Sequence, residues 1–284
     1  MNIQENVKTF VLLAGLTAIL IVAGYFVAGA TGALIALVFA LLMNGFAYWN
    51  SAALALRGSR AVPLSREDAP ELHEMLDRLC VRAGLPVPSL HLIPSPVPNA
   101  FATGRNPQNA AVAVTEGLLQ RLNKDEVEGV IAHELAHIQH RDILTSSVAA
   151  VIAGAITGIA NIAMFIPLFQ SDDEEGEGAN PLALMLFSFL APLAAMIVQM
   201  AVSRAREYAA DATAARITGR PEALASALER LHLPHALPEP TPQAAAHAHM
   251  YIANPLKGGG VTALFSTHPP YEERVRRLRS MNAA

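Results

Sequence analysis

The stretch that decides the fold is residues 123–142, NKDEVEGVIAHELAHIQHRD. Asn123 followed by Glu126 is the signature of a capping box, so a helix is predicted to fill most of this stretch. His133 and His137 are four residues apart and therefore share one face of that helix. This spacing predicts that both imidazoles reach a single metal ion.

The predicted helix runs from Lys124 to about Asp142, and Glu134 lies on it beside the paired histidines. One step along a helix turns by about 100°, so Glu134 stands next to the ion without binding it. A carboxylate in that position can take a proton from water and return it to a leaving amine. The alternative is a surface helix with two histidines, which the apolar neighbours disfavour: Val130, Ile131, Leu135 and Ile138.

A catalytic zinc needs a third protein ligand and one open position. In the extended histidine form of the motif that ligand would be residue 143, which is Ile143, so this form fails. The best candidate is Glu207, in the helix-forming segment SRAREYAAD at 203–211. Asp211 shares its face and is predicted to accept the other ring N–H of a ligand histidine. The alternative for Glu207 is a surface ion pair with Arg204.

Long charge-free runs predict membrane spans. Thr9 to Leu56 contains no Asp, Glu, Lys or Arg and is long enough for two spans of about 20 residues, with a turn at 29–32. Two more runs, at 143–170 and 180–203, flank an acidic loop and predict a second pair. The alternatives are a signal peptide for the first run and a buried helical hairpin for the second pair.

The charge distribution predicts an orientation. Arg57, Arg60 and Arg66 follow the first pair of spans, whereas the tips between paired helices carry no Lys or Arg. The positive-inside rule then places both termini and the main polar domain in the cytoplasm. The single cysteine, Cys80, excludes a disulfide within the chain and a cysteine-built zinc site.

Composition narrows the class. Only 15% of the 284 residues are charged, against about 25% in soluble globular chains. The net charge of -4 argues against a nucleic-acid partner, and the charge-free runs make the lipid bilayer an expected partner. We therefore expect a mostly α membrane protein with a small β-sheet: four transmembrane helices plus a zincin-like α+β catalytic domain. The first pair of transmembrane helices is expected in residues 1–56 and the second pair in 143–203. The catalytic domain is expected in two parts, residues 57–142 and 204–284.

Within the polar units, the patterns predict a few short elements. The segment 63–82 is expected to begin with a turn and to continue as a helix capped by Ser65 and Asp68, and an irregular loop is expected over 232–260. Strands are predicted at 90–93, 101–103 and 111–114, and further helices at 205–218, 222–231 and 270–281.

In order and combination, four motifs resemble the HtpX-type membrane metalloproteases, bacterial relatives of the CAAX prenyl proteases. They are the segment 99–104, the histidine motif followed by Asp142, the pair Glu207 and Asp211, and the segment 265–270. The match covers nearly the whole chain. The resemblance implies one Zn²⁺ per chain, bound by His133, His137 and Glu207, with Glu134 as the catalytic base.

The resemblance also implies roles that the residues alone do not show. His268 would stabilise the oxyanion of the reaction. An edge strand would bind substrate through its backbone, and its residues are Asn99, Ala100, Phe101, Ala102 and Thr103. The implied substrates are unfolded polypeptides and misfolded or damaged membrane proteins, cleaved in membrane protein quality control.

Three alternatives stay open at this point. One is a CAAX-type protease that processes prenyl peptides, disfavoured by the small number of predicted spans. Another is a membrane scaffold or chaperone without hydrolytic activity. The last is a metal-dependent hydrolase of a non-peptide substrate. The sequence does not indicate the oligomeric state.

Overall fold

The structure is a computed structural model, and it describes residues 3–144, 204–232 and 269–281. In this part the protein is mostly helical, with one small mixed sheet. The helices are α1 Ile3–Gly58, α2 Pro70–Ala83, α3 Glu116–Arg121, α4 Lys124–His140, α5 Arg204–Thr218, α6 Pro221–His232 and α7 Tyr271–Met281. The strands are β1 Val62–Pro63, β2 Ser89–Ile93, β3 Ala100–Gly104 and β4 Ala110–Thr115, with a 3₁₀ turn at Pro107–Asn109.

The four strands are ordered β1-β2-β4-β3, so β3 lies at one edge. β2 pairs with β4 in parallel, while β1 with β2 and β3 with β4 are antiparallel. The turn from β3 to β4 requires Gly104, whose φ is 136°. A Cβ there would lie 2.3 Å from the carbonyl oxygen of Asn109. The predicted strands are present, and β1 is an addition that its two-residue length hid in the sequence.

Helix α4 lies at the centre of the core. Its capping box is formed as predicted, because Asn123 and Glu126 each accept a backbone N–H of the other. The helix ends at His140, two residues earlier than expected, because Arg141 adopts a left-handed conformation with φ of 64°. α4 packs against α2, α5, α6 and β3, so its apolar side chains are buried on nearly every side.

The packing of α4 on α6 depends on one glycine. A Cβ at Gly129 would lie 2.8 Å from the backbone nitrogen of Leu224. The two helices therefore approach to backbone contact at this point. Around it, side chains such as Leu228 and Ile131 are fully buried and form the main core with α2 and one face of the sheet.

The N-terminal helix α1 bends back on itself. Ala28 and Gly29 have non-helical backbone angles, and the Asn44 side-chain amide donates to the Thr17 hydroxyl at 2.9 Å across the bend. The two halves thus form an antiparallel hairpin, bent at the start of the predicted turn. Ala28–Phe46, with a mean hydropathy of 1.8, is the one helical stretch among the described residues that is long and apolar enough to span a membrane.

The predicted cap of α2 is wrong: Ser65 and Asp68 bond to each other in a turn, and the helix begins at Pro70, whose ring presets the first helical φ. Four membrane spans remain a prediction. The second predicted pair lies mostly outside the described residues, as do the loop at 232–260 beyond His232 and the catalytic candidate His268.

Candidate metal centre

The structure brings the three predicted ligands together. α4 presents His133 and His137 on one face, and α5 crosses it to place Glu207 opposite them. The two Nε2 atoms lie 3.1 Å apart. Nε2 of His133 lies 3.6 Å from Oε2 of Glu207, and Nε2 of His137 lies 3.6 Å from Oε1 of the same carboxylate. The three side chains therefore form a triangle in which their ligand atoms all lie within 4.8 Å of one another.

The size of this triangle fits a metal ion. In a tetrahedral zinc site with bonds of about 2.0–2.1 Å, neighbouring ligand atoms are about 3.3–3.4 Å apart. The observed separations of 3.1–3.6 Å lie on either side of that distance. Three protein ligands leave the fourth position open, which is the arrangement of catalytic rather than structural sites. His133 and Glu207 are buried, and His137 is partly exposed, so the centre reaches a surface.

Both histidines are oriented by buried aspartates. Nδ1 of His133 lies 3.0 Å from Asp211 on α5. Nδ1 of His137 lies 3.1 Å from Asp142, which the left-handed turn at Arg141 brings back toward the helix. A ring whose Nδ1–H is donated to a carboxylate carries its free lone pair on Nε2. Both lone pairs therefore point into the triangle.

Arg274 on α7 completes the centre, and the sequence analysis missed it. Its guanidinium is 1% exposed and donates to both carboxylate oxygens of Asp211, at 2.7 and 2.8 Å. It also lies 3.6 Å from Glu207. The available signal was its place on the apolar face of α7, with Val275 and Leu278, where an arginine needs a buried partner.

The electrostatics of this cluster favour a bound cation. Burial raises the pKa of Asp211, but the Arg274 guanidinium and His133 outweigh burial and hold that pKa at about 2. Four carboxylates are buried at the centre around the guanidinium of Arg274: Glu134, Asp142, Glu207 and Asp211. Burial lowers the pKa of His133 and His137, but these carboxylates outweigh burial and raise both pKa values, that of His137 to about 10. Because unbalanced buried charge is costly, the centre favours positive charge between the two rings, either as protons on the histidines or as a divalent cation.

Glu134 lies beside the triangle and is bonded to the sheet. It is 5% exposed, and its carboxylate accepts the backbone N–H of Ala102 on β3 at 2.7 Å. Burial raises the pKa of Glu134, opposed by the neighbouring His137 and His133. A buried carboxylate with a raised pKa is a better proton acceptor than an exposed one.

The segment that the resemblance assigned to substrate binding is the edge strand β3 and the residue before it. Asn99 donates its backbone N–H to the Thr115 hydroxyl at 2.8 Å, which ties the start of β3 to β4. β3 then passes Glu134 at Ala102. The main chain of this strand therefore borders the centre.

Comparison with known proteins identifies the family. The profile of peptidase family M48 matches residues 66–282. The chain belongs to peptidase family M48. This M48 protein is 51% identical over 280 residues to the protease HtpX homolog of Ralstonia pickettii (strain 12J), covering 97% of this chain and 96% of that one. It is 48% identical over 284 residues to the HtpX homolog of Pyrococcus furiosus (strain ATCC 43587 / DSM 3638 / JCM 8422 / Vc1), covering 99% and 97%.

A solved structure shares the fold. The crystal structure of S. mikatae Ste24p matches with a TM-score of 0.51 and 21% sequence identity, over 97% of this chain. The match covers 66% of the Ste24p chain, so this protein spans just under two thirds of it. The HtpX-type resemblance is confirmed, and this protein is a membrane-associated M48 metalloprotease with a possible metal site at His133, His137 and Glu207.

Proposed function

We propose that this M48 protein is a zinc-dependent endopeptidase of the bacterial inner membrane, with its catalytic domain and both termini in the cytoplasm. Its substrates are misfolded or damaged membrane proteins and other unfolded polypeptides, and its role is membrane protein quality control. The observation that carries this proposal is the triangle of His133, His137 and Glu207, with both histidine Nδ1 atoms held by buried aspartates.

His133, His137 and Glu207 would hold one Zn²⁺ per chain. When bound, the ion supplies Lewis-acid polarisation of a water molecule and of the scissile carbonyl. Among the described residues the ligand group contains no sulfur, and two imidazoles with one carboxylate match known catalytic zinc sites. The ligand chemistry alone therefore favours zinc over the hard cations Mg²⁺ and Ca²⁺, which prefer all-oxygen sites.

Glu134 performs the proton transfers in this mechanism. Its carboxylate accepts a proton from the attacking water and donates it to the departing amine. The Ala102 N–H fixes one carboxylate oxygen and leaves the other available for the water. Burial places the pKa of Glu134 above its usual value, nearer to the pH at which both transfers are efficient.

The remaining groups position and bind. Arg274 and Asp211 hold the His133 ring, and Asp142 holds the His137 ring. His268 is assigned, from the family resemblance, to hydrogen-bond the developing oxyanion. β3, with Asn99, is assigned to align an extended substrate segment through its main chain beside Glu134.

The test is cleavage of unfolded casein by the full-length protein in detergent. The unaltered chain should cleave after zinc is supplied and stop when a chelator is added. Glu134→Gln keeps the size of the side chain but cannot accept the proton, so it should keep zinc and lose activity by at least about 10³-fold. Glu128→Gln, on the same helix but paired with Arg220, is the matched control and should stay active.

The same assay separates the alternatives. Cleavage of a prenylated peptide but not of casein would move the assignment to CAAX-type processing. Zinc binding without cleavage of either would leave a scaffold or a hydrolase of another substrate. Full casein cleavage by Glu134→Gln would contradict the role assigned to Glu134.

A further inference from the structure

The turn between β3 and β4 is fastened to the end of the apolar helix segment. The Arg105 guanidinium lies over the Trp49 ring, 4.9 Å from its centroid, and donates to the Trp49 carbonyl oxygen at 3.4 Å. A second bond, to Asn109 at 3.1 Å, braces Arg105 inside the turn. Trp49 is nevertheless 64% exposed. The contact thus joins the sheet to an aromatic ring that faces outward.

Trp49 indicates where the membrane surface would cross α1. It follows the apolar stretch Ala28–Phe46 by one helical turn, which is about 4–5 Å along the axis. Tyr48 packs against it edge-on at 5.5 Å. Tryptophan and tyrosine with polar tips concentrate where a membrane meets water. If Ala28–Phe46 spans the bilayer, the turn at Arg105 lies at the headgroup level.

β3 runs from this turn along the last part of α1. Arg105 contacts Trp49, while Phe101, four residues earlier, shares a small buried cluster with Ala55 and Ala113. Ala55 lies about 14 Å beyond Phe46 along the helix axis. A tilt of about 20°, usual for membrane helices, shortens this height only slightly.

The catalytic centre lies at the same height. Phe101 packs toward α1, and the backbone N–H of the next residue, Ala102, donates to the Glu134 carboxylate. Consecutive residues of a strand are only about 3.3 Å apart, so Glu134 lies close to the level of Ala55. Glu134 therefore stands roughly 14 Å beyond the end of the apolar stretch. The headgroup layer occupies about 5–8 Å of that distance.

We propose that the protein selects its cleavage sites by their height above the membrane and cleaves extended segments close to the membrane surface. This inference rests on the proposed function and names its substrate class: stretches that follow a transmembrane segment directly. An extended chain advances about 3.3 Å per residue, so roughly four residues bridge the height and a few more occupy the cleft. The preferred bond then lies roughly 4–10 residues from the hydrophobic segment.

The experiment uses the full-length protein in liposomes with a series of anchored substrates. Each substrate has one transmembrane helix, a stiff helical spacer of EAAAK repeats, and the same unfolded cleavable segment. A spacer of about 20 residues raises that segment by roughly 30 Å. The rate should fall roughly tenfold or more from no spacer to this spacer, because the segment can no longer reach the centre. The free segment without an anchor measures basal activity.

Two variants make the test specific. Arg105→Ala loosens the turn from Trp49 and should at least halve the ratio between short and long spacers, with cleavage of the free segment unchanged. Arg66→Ala removes another exposed arginine, which pairs with Asp77; this matched control should keep the ratio. An equal effect of both variants would overturn the role of the Arg105 contact.

The outcomes separate the two levels of the proposal. Equal rates for every spacer, with the free segment cleaved, would overturn height selection and leave the protease assignment intact. No cleavage of the free segment by the zinc-loaded protein would overturn the proposed function and height selection with it.

Discussion

Arg274 and Asp211 form a bidentate ion pair, with hydrogen bonds of 2.7 and 2.8 Å and both side chains buried. Asp211 in turn contacts Nδ1 of His133. The C-terminal helix α7 is thus linked through one carboxylate to a candidate metal ligand. The same helix is held to α5 and α6 by Arg277, stacked on Tyr208, and by Arg279, paired with Glu222.

Removing Arg274 should weaken both stability and metal affinity. Arg274→Ala leaves the Asp211 carboxylate buried without its cation, which costs about 3–5 kcal/mol in the free energy of unfolding. Loss of the group that orients a ligand's partner should lower zinc affinity by about 10–100-fold. Chelator competition and thermal unfolding measure the two effects. Arg276→Ala, an exposed arginine on the same helix, is the control, and an equal effect of both variants would contradict this account.

Asp142 should act on metal affinity with little effect on the fold. Asp142→Asn keeps the shape of the side chain but removes the charge that holds His137 Nδ1–H, so Nε2 is no longer fixed as the acceptor. We expect zinc affinity to fall by about 10–100-fold, measured by competition with a coloured chelator. Asp125→Asn, an exposed acid at the start of the same helix, should leave affinity unchanged. Unaltered affinity in Asp142→Asn would show that the contact does not orient the ring.

How much of the metal centre can be predicted depends on how far apart its residues lie in the sequence. The capping box and the pair of histidines lie within one helix, where the fixed rise and rotation of the backbone place side chains relative to one another. Glu207 and Asp211 share a second helix, so their common face was also predictable. The crossing of α4 and α5 was not predictable, because it depends on packing between segments far apart in the chain.

Arg274 shows the limit of this reasoning. Its partner Asp211 is 63 residues away, and α7 is rich in exposed arginines that hide the single buried one. Similarly, Asp142 becomes a partner of His137 only because Arg141 takes a left-handed conformation, which is uncommon for a residue with a side chain. Neither feature has a local pattern that distinguishes it.

Cys80 should be an unreactive core residue. It is 1% exposed, and burial, with the nearby Asp77, raises the pKa of its thiol to about 11. The thiol therefore stays protonated at pH 8, and native protein should react with a thiol reagent at least about 100-fold more slowly than unfolded protein. Rapid labelling of the native protein would contradict this placement.

The raised pKa of Cys80 predicts that the folded protein loses stability at alkaline pH. Between about pH 9 and 11 the unfolded thiol ionises while the folded thiol does not, so stability is lost as the pH rises. The loss is at most about 2–3 kcal/mol. Cys80→Ala should show a smaller decrease across this range in denaturant unfolding, and an identical pH profile would rule the effect out.

Gly129 should not tolerate a methyl group. In an ordinary helix interior Gly→Ala stabilises by about 0.8–1 kcal/mol. At Gly129 the added Cβ would meet the backbone of Leu224 at 2.8 Å, so α6 must move and the substitution should instead destabilise by about 1–3 kcal/mol. Gly45→Ala, whose Cβ has nothing within 4 Å, is the control. Thermal unfolding of both variants decides the sign, and stabilisation at Gly129 would contradict the close packing of α4 on α6.

The central claim is that His133, His137 and Glu207 together hold a zinc ion. Its most direct test is the zinc content of the purified chain after dialysis, with Glu207→Gln beside it and Glu222→Gln, an exposed acid, as the control. We predict about one zinc per chain in the unaltered protein and in the control, and loss of most of it in Glu207→Gln. Full zinc content in Glu207→Gln, or none in the unaltered protein after loading, would contradict the claim.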